Sequence, residues 1–322
     1  MRYLSGIQPS GTLHLGNYFG AMRRHVERQA EHECFYFIAE YHALTTVRDP
    51  AALRANILGV ALDYLAVGLD PQKTVFFRQS HVPEVTELAW VLSTVTPMGL
   101  LERAHSYKDK IAKGIEPSHG LFAYPVLMAA DILIYDSDRV PVGQDQKQHI
   151  EMTRDMAQKF NLAYGETFVV PEADIEESTA VVPGIDGAKM SKSYGNTIEM
   201  FAPEKEIWKA ISRIVTDSSG VADPKDPEKS VVYHLYALLA TPEERDEMAR
   251  KFRAGGYGYG DAKKELYRKC LEHFGPYRER RAELARDPGA VLDILEEGGR
   301  RAREVARRTM ERVYERVGLR WR

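Results

Sequence analysis

The stretch Tyr3-Leu4-Ser5-Gly6-Ile7-Gln8-Pro9-Ser10-Gly11 decides the fold. Its first five residues fit a short buried strand, and Gln8-Pro9-Ser10-Gly11 breaks it before a helical pattern resumes over 18–29. Working outward, Phe35-Tyr36-Phe37-Ile38 and Val75-Phe76-Phe77 read as further strands. Between them Asp49 caps a helix that Pro50 begins, with Leu53, Ile57, Ala61, Tyr64 and Leu65 along one face. Further helices are expected over about 83–92, 124–135 and 145–160, with a short strand near 139–142. Strands alternating with amphipathic helices at this spacing predict an α/β fold, a Rossmann-like doubly wound parallel sheet. Ligands of such sheets sit at the carboxyl ends of the strands, where the turns named here fall.

The pattern changes after Pro183-Gly184. A Gly/Lys/Ser loop follows, and beyond about Phe201 only helical patterns remain, interrupted by Gly220, Pro224, Pro227 and the run Gly255-Gly256-Tyr257-Gly258-Tyr259-Gly260. A catalytic domain over 1–200 and a C-terminal all-helical domain over 201–322 are therefore expected. The final helix repeats Ala302, Val305, Ala306, Thr309, Val313 and Val317 on one side, with arginines largely opposite.

The chain has 322 residues, 44% hydrophobic and 28% charged, enough to bury a full core. Cys34 and Cys270 are its two cysteines. Lacking any Cys-x-x-Cys or Cys-x-x-His company, they give no basis for zinc, an iron–sulfur cluster or a disulfide framework. With no run of about 18 apolar residues and no basic leader before an apolar stretch, a protein neither exported nor membrane-spanning is expected, in a reducing cytoplasm. Net charge is −3, which argues against a wholly basic nucleic-acid binder. From Arg300 to Arg322, however, nine arginines face three acids, a net of +6 that leaves −9 for the rest. Such an end could meet a phosphate backbone, or could be a solvated helix face of Glu/Arg pairs.

Two segments suit anion chemistry. Gly16 and Asn17 open a helix just after a tight turn, where unpaired N–H groups and the helix dipole favour an anion, and His14 adds a side-chain donor. A histidine in a turn is more often a cap or a surface residue. No Gly-x-x-x-x-Gly-Lys-Ser/Thr string exists, so this is not a P-loop. In Gly187-Ala188-Lys189-Met190-Ser191-Lys192-Ser193-Tyr194-Gly195, two ammonium groups sit among small residues, as suits a loop that closes over a polyphosphate. Lysine pairs on surface loops are common; the ordered string Lys189–Ser193 is not.

These two strings make the chain resemble the class I aminoacyl-tRNA synthetases, whose signatures are a His-x-Gly-His-type turn and a Lys-Met-Ser-Lys-Ser loop. Three more narrow the likeness to the bacterial tryptophanyl-tRNA synthetases, in which Asn at position 17 is usual: Ser5–Gly11, Tyr124-Pro125-Val126-Leu127-Met128-Ala129-Ala130-Asp131-Ile132-Leu133, and Val140-Pro141-Val142-Gly143-Gln144-Asp145-Gln146-Lys147-Gln148-His149. The resemblance runs over essentially the whole chain. It implies adenylation of L-tryptophan with ATP, magnesium carried with the nucleotide, and transfer to the terminal adenosine of tRNA(Trp) by a homodimer, with the helical domain over 201–322 and its Arg300–Arg322 face meeting the tRNA. It also implies that Lys189, Lys192, His14, Asn17 and Lys110 handle the phosphates, and that Gln8, Gly11, Gly16, Gly143, Asp145, Met190 and Ser191 hold ATP. In the same way, Asp131 would accept the indole N–H. Tyr124, Gln146 and Gln8 would hold the amino acid's charged ends, and Met128, Ile132, Val140, Val142, His42 and Leu4 would line or flank the indole. Read without the family, Asp131 is a helix cap or an arginine's partner, the aliphatic residues are core, and Lys110 is a surface lysine. Leu4 and Tyr194 stand where relatives often carry phenylalanine and an acid. No carboxylate cluster with metal-ligand spacing is visible, so no resident metal is expected. A tyrosyl-tRNA synthetase, a nucleotidyltransferase using the His14 turn alone, and a catalytically silent RNA-binding relative are the competing readings.

Overall fold

The computed structural model describes residues 1–104, 114, 116, 118–175 and 182–321, and at Asp145 the backbone only. Five parallel strands form one sheet: β1 (Arg2–Ile7), β2 (Glu33–Ile38), β3 (Thr74–Arg78), β4 (Arg139–Pro141) and β5 (Glu172–Asp174). Their order is β3-β2-β1-β4-β5. The chain moves outward from β1 to β3 and then returns to lay β4 on the other side of β1 (Tyr3 pairs with Arg139). The reversal between β1 and β4 opens a crevice at their carboxyl ends, the place such sheets reserve for ligands. The expected doubly wound sheet is therefore present. Strand β2 shows why it is parallel and covered: Cys34 through Ile38 are all buried, an apolar run with no solvent face.

The helices that matter are α1 (Pro50–Ala66), α2 (Glu84–Val95), α3 (His119–Leu133), α4 (Lys147–Tyr164), α5 (Glu204–Ser212), α6 (Val231–Ala237), α7 (Pro242–Ala254), α8 (Tyr259–Leu284) and α9 (Pro288–Arg316). Asp49 caps α1 by accepting from the Ala51 N–H (2.9 Å), with Pro50 in the first turn as expected. Ser118 caps α3 through the Leu121 N–H (3.1 Å). No described helix is long and apolar enough to cross a membrane.

Two compact units result. The first comprises 1–11, 26–177 and 287–322; the second comprises 12–25 and 178–286. The division does not follow a boundary at 200/201. In the first unit α2, α3, α4 and α9 share one core with the sheet, through residues such as Leu88, Ala130, Ile150 and Ala306. The second unit gathers α5 to α8 with the 182–200 segment and the helical turn beginning at Leu15. There Tyr18 packs edge-on against His273 and Phe274 of α8, and the His273 Nε2 lies 3.0 Å from its hydroxyl.

The last helix belongs with the sheet, not with the other C-terminal helices. Its apolar side is buried as its periodicity predicts, with Ala302, Ala306, Thr309 and Val313 fully enclosed. Close approach to β3 depends on two glycines: a Cβ on Gly298 would lie 1.9 Å from the Phe76 carbonyl oxygen, and one on Gly299 2.6 Å from His81 Cβ. Beside them His81 is fixed in one tautomer. Its Nε2 accepts from Arg78 Nε (2.8 Å), so its Nδ1–H faces the Leu295 carbonyl (3.0 Å). Burial and the Arg78 charge both push its pKa down, consistent with a neutral ring.

This placement engages much of the basic face. Arg303 and Arg307 reach Glu84 (2.7 and 3.3 Å), Arg312 reaches Asp136 (2.6 Å), Arg301 donates to the Pro71 carbonyl (2.9 Å), and Arg300 pairs with Glu297. These arginines fasten α9 to its own unit or to itself, so neither an open phosphate-binding face nor a simple ladder of Glu/Arg pairs describes them.

Candidate active site

In the first unit, a cavity of about 320 Å³ opens where β1 ends and α3 passes. Strand β1 supplies Leu4 and Gly6, with Gln8 from the turn beyond it; β2 supplies Phe37 and Ala39 follows it. Gly6 is demanded by its neighbour: a Cβ there would meet the Phe37 ring at 2.6 Å. Helix α3 supplies Tyr124, Met128, Asp131 and Ile132, spaced i, i+4, i+7 and i+8 and so on one face. His42, Thr45, Val140 and Gln146 complete the wall. Of the residues expected around an indole, Val142 alone is not among those lining the cavity; it packs against the core beside it.

Asp131 is the polar feature of this wall, and it is 2% exposed. Gln79 Nε2 donates to both carboxylate oxygens (2.8 and 2.9 Å), and His42 Nε2 stands 2.8 Å from Oδ2. Burial pushes the Asp131 pKa up, and the bonds from His42 and Gln79 pull against that rise. A carboxylate offers about four lone-pair sites. Gln79 and His42 fill three, which leaves one on Oδ1 for a donor in the cavity. Neither a helix cap nor an arginine partner describes this residue: Asp131 lies inside α3, and its partners are an amide and an imidazole. At the same cavity the Tyr124 hydroxyl lies 2.6 Å from Nε2 of the buried His149.

In the second unit, the His14 turn and the Lys189–Ser193 loop form a separate cluster. The Asn17 N–H donates to the His14 carbonyl (2.8 Å), and Asn17 Oδ1 accepts from the His14 N–H (3.1 Å). With its oxygen engaged, the Asn17 amide presents its NH2 end, a donor where the family signature has a second histidine. The His14 ring is 5% exposed and lies over Gly16, where a Cβ would come within 2.9 Å of it. Its buried Nδ1 has no partner among the described residues. Burial and the nearby Lys192 charge lower the His14 pKa to about 4. At neutral pH it is therefore an uncharged donor.

The loop is held by a residue that sequence reasoning did not single out. Asn196, 2% exposed, accepts the Ser191 N–H (2.8 Å) and donates to Asp186 (2.8 Å) and to the Lys189 carbonyl (3.1 Å). Gly184 makes room for it, since a Cβ there would sit 2.2 Å from its amide nitrogen. Met190 is buried against Gly16, its N–H donating to the Val182 carbonyl (2.9 Å). Ser191 and Ser193 share a hydroxyl contact of 2.9 Å. The backbone around the two signature lysines is thus pinned on both sides.

Gly11 adopts φ 109°, which requires glycine, whereas Gly143 sits at φ −68°, open to any residue, and begins the turn Gln144–Gln146. Lys110 lies outside the described residues, and Asp145 is described by backbone alone. Gln79, Glu40, Phe37 and Thr45 were not foreseen. Gln79 follows β3 directly and Glu40 lies two residues beyond β2, so the rule that ligands gather at strand ends was the available signal. Among the described residues no group of three His, Cys, Asp or Glu side chains could hold a metal ion.

The family model for class I tRNA synthetases (W and Y) matches residues 1–275, and the chain belongs to that family. Within it, the chain is 57% identical to a tryptophan–tRNA ligase of Rhodopirellula baltica, over 99% of this chain and all of that protein. It is 56% identical to the tryptophan–tRNA ligase of Fusobacterium nucleatum, over 99% of this chain and 98% of that one. The crystal structure of the Campylobacter jejuni tryptophanyl-tRNA synthetase, complexed with ADP and tryptophan, superposes with a TM-score of 0.94 at 51% identity, covering 99% and 100% of the two chains. An Archaeoglobus fulgidus tyrosyl-tRNA synthetase, 20% identical with a TM-score of 0.67, shares the fold.

Proposed function

We propose that this chain is a tryptophan–tRNA ligase in which Asp131 reads the indole N–H. The carrying observation is the buried carboxylate on the cavity wall, with three acceptor sites filled by Gln79 and His42 and one remaining. The apolar walls of Leu4, Phe37, Met128, Ile132 and Val140 suit a large aromatic ring; Gln8, Tyr124 and Gln146 supply polar groups for the ammonium and carboxylate. Phenylalanine would fill part of the space and leave the Asp131 acceptor unpaired.

The amino acid's carboxylate is ionised at neutral pH and attacks the α-phosphorus of MgATP without a general base. Pyrophosphate leaves as the oxygen–phosphorus bond forms. Work falls to alignment and to charge: neutral His14 and the Asn17 amide donate to phosphate oxygens, and Lys189 and Lys192 neutralise the departing pyrophosphate. Binding of the nucleotide is assigned to Gly11, Gly143 and Asp145 of the first unit and to Gly16, Met190 and Ser191 of the second, and a role toward pyrophosphate to Lys110. In the second step the aminoacyl group passes to the 2′-hydroxyl of the terminal adenosine of tRNA(Trp). Of the helical half expected to meet tRNA, α5 to α8 keep that assignment, while several arginines of α9 are engaged within its own unit; the active form is assigned to a homodimer. Both cysteines are free and buried, which suits a reducing cytoplasm.

ATP–pyrophosphate exchange tests this directly. Tryptophan should exceed phenylalanine in kcat/KM by roughly 10⁴–10⁵, the discrimination typical of a site built around one polar contact. Exchange with tyrosine equal to or stronger than with tryptophan overturns the assignment.

A further inference from the structure

Gln79 has no place in the mechanism above, yet it is 1% exposed and donates to both oxygens of the carboxylate on the cavity wall. It leads the turn Gln79–His81 directly after β3. Its Oε1 accepts the Tyr41 N–H at 2.9 Å, which fixes the amide so that its NH2 end can only face Asp131. That end meets Oδ1 and Oδ2 at 2.8 and 2.9 Å, the symmetric grip of one nitrogen on both oxygens. Its own backbone is anchored too: the N–H donates to Oε2 of the buried Glu40 (3.1 Å), whose other oxygen accepts the Ser80 N–H (3.3 Å). Glu40 therefore braces the turn, the turn holds the amide, and the amide orients the carboxylate.

Building on the indole reading of Asp131, we propose that Gln79 is a positioning residue that sets amino-acid specificity by holding Asp131 as an oriented, ionised acceptor. A carboxylate in so dry a place needs donors to stay ionised. His42 supplies one from the side; Gln79 supplies the pair that fixes the plane of the carboxylate. An apolar residue of the same length at position 79 would free Asp131 to rotate or to keep its proton. Either change removes the acceptor an indole N–H requires.

The test compares tryptophan with 3-(3-benzothienyl)alanine, in which sulfur replaces the N–H, in ATP–pyrophosphate exchange by the full chain. The natural protein should favour tryptophan. In Gln79→Met, kcat/KM for tryptophan should fall by about 10- to 150-fold, the worth of a hydrogen bond to a charged group. The analogue's kcat/KM should hold, so the preference collapses. The acidic limb of the tryptophan profile should also move to higher pH, since Asp131 has lost donors that favour its charge. Equal losses for both substrates mean that Gln79 is only structural and overturn the proposal. If the natural protein shows no preference for tryptophan over the analogue, the indole reading of Asp131 itself fails. Should Gln79→Met not fold, Gln79→Glu keeps the shape and removes the donor once ionised. Its tryptophan preference should then decline as pH rises, and a preference indifferent to pH overturns the proposal.

Discussion

The cavity of the first unit and the cluster of the second that is proposed to handle phosphate are built on opposite plans. Around Asp131 the side chains carry the order: Gln79, Glu40 and His42 are locked by hydrogen bonds, and one acceptor is left over. Around Lys189 and Lys192 the backbone is fixed instead, by Asn196 and the Met190 N–H, while Lys189 itself and Ser193 beside Lys192 are exposed. A site that must tell one ring from another gains from rigid acceptors, because a misplaced one rejects nothing. Stabilising a leaving pyrophosphate calls for positive charge that can meet it as it departs. The difference implies that damage to each region shows in a different kinetic constant.

The largest effect should come from Lys192→Ala. Removal of one group that stabilises transition-state charge typically costs about 10²–10³ in kcat, and here KM for tryptophan should hardly move. Steady-state exchange separates the two constants; a variant with full activity would remove Lys192 from catalysis. Asn196→Ala is a milder way to the same loop. It leaves the half-buried Ser191 N–H without its partner, a loss at the low end of about 1–3 kcal/mol, so kcat should drop by roughly tenfold while tryptophan affinity stays. An equal loss of affinity would show that the two regions are not independent. The smallest effect is on stability. The unfolded chain protonates His14 near its ordinary value of 6.5, but the folded chain resists until about pH 4. The native state therefore loses stability as pH falls from 6.5 towards 4, and His14→Gln, which cannot titrate, should flatten that part of a melting-temperature profile. An unchanged slope would mean that other groups govern it.

The sequence made the alternation of β1, β2 and β3 with helices legible, because β2 and β3 are built on apolar runs and β1 on a short apolar stretch broken by the turn that follows it. It hid β5, whose three residues Glu172-Ala173-Asp174 carry no apolar pattern and pair only at the sheet edge. Periodicity showed that α9 buries one face, but not which surface receives it; Gly298-Gly299 mark the contact with β3, and glycines inside a helix announce close approach without naming the partner. The site divided in the same way. Asp131 and its companions on α3 follow from spacing once the family strings are read, whereas Gln79 and Asn196 are single polar residues whose role depends on burial that arises only in the folded chain.

Tryptophan binding measured calorimetrically without ATP tests the separation of roles most directly. Asp131→Asn should weaken binding by about 10- to 150-fold, the range for a hydrogen bond to a charged group, and Lys192→Ala should bind as the natural protein does. Loss of tryptophan affinity in Lys192→Ala, or its retention in Asp131→Asn, would contradict the account.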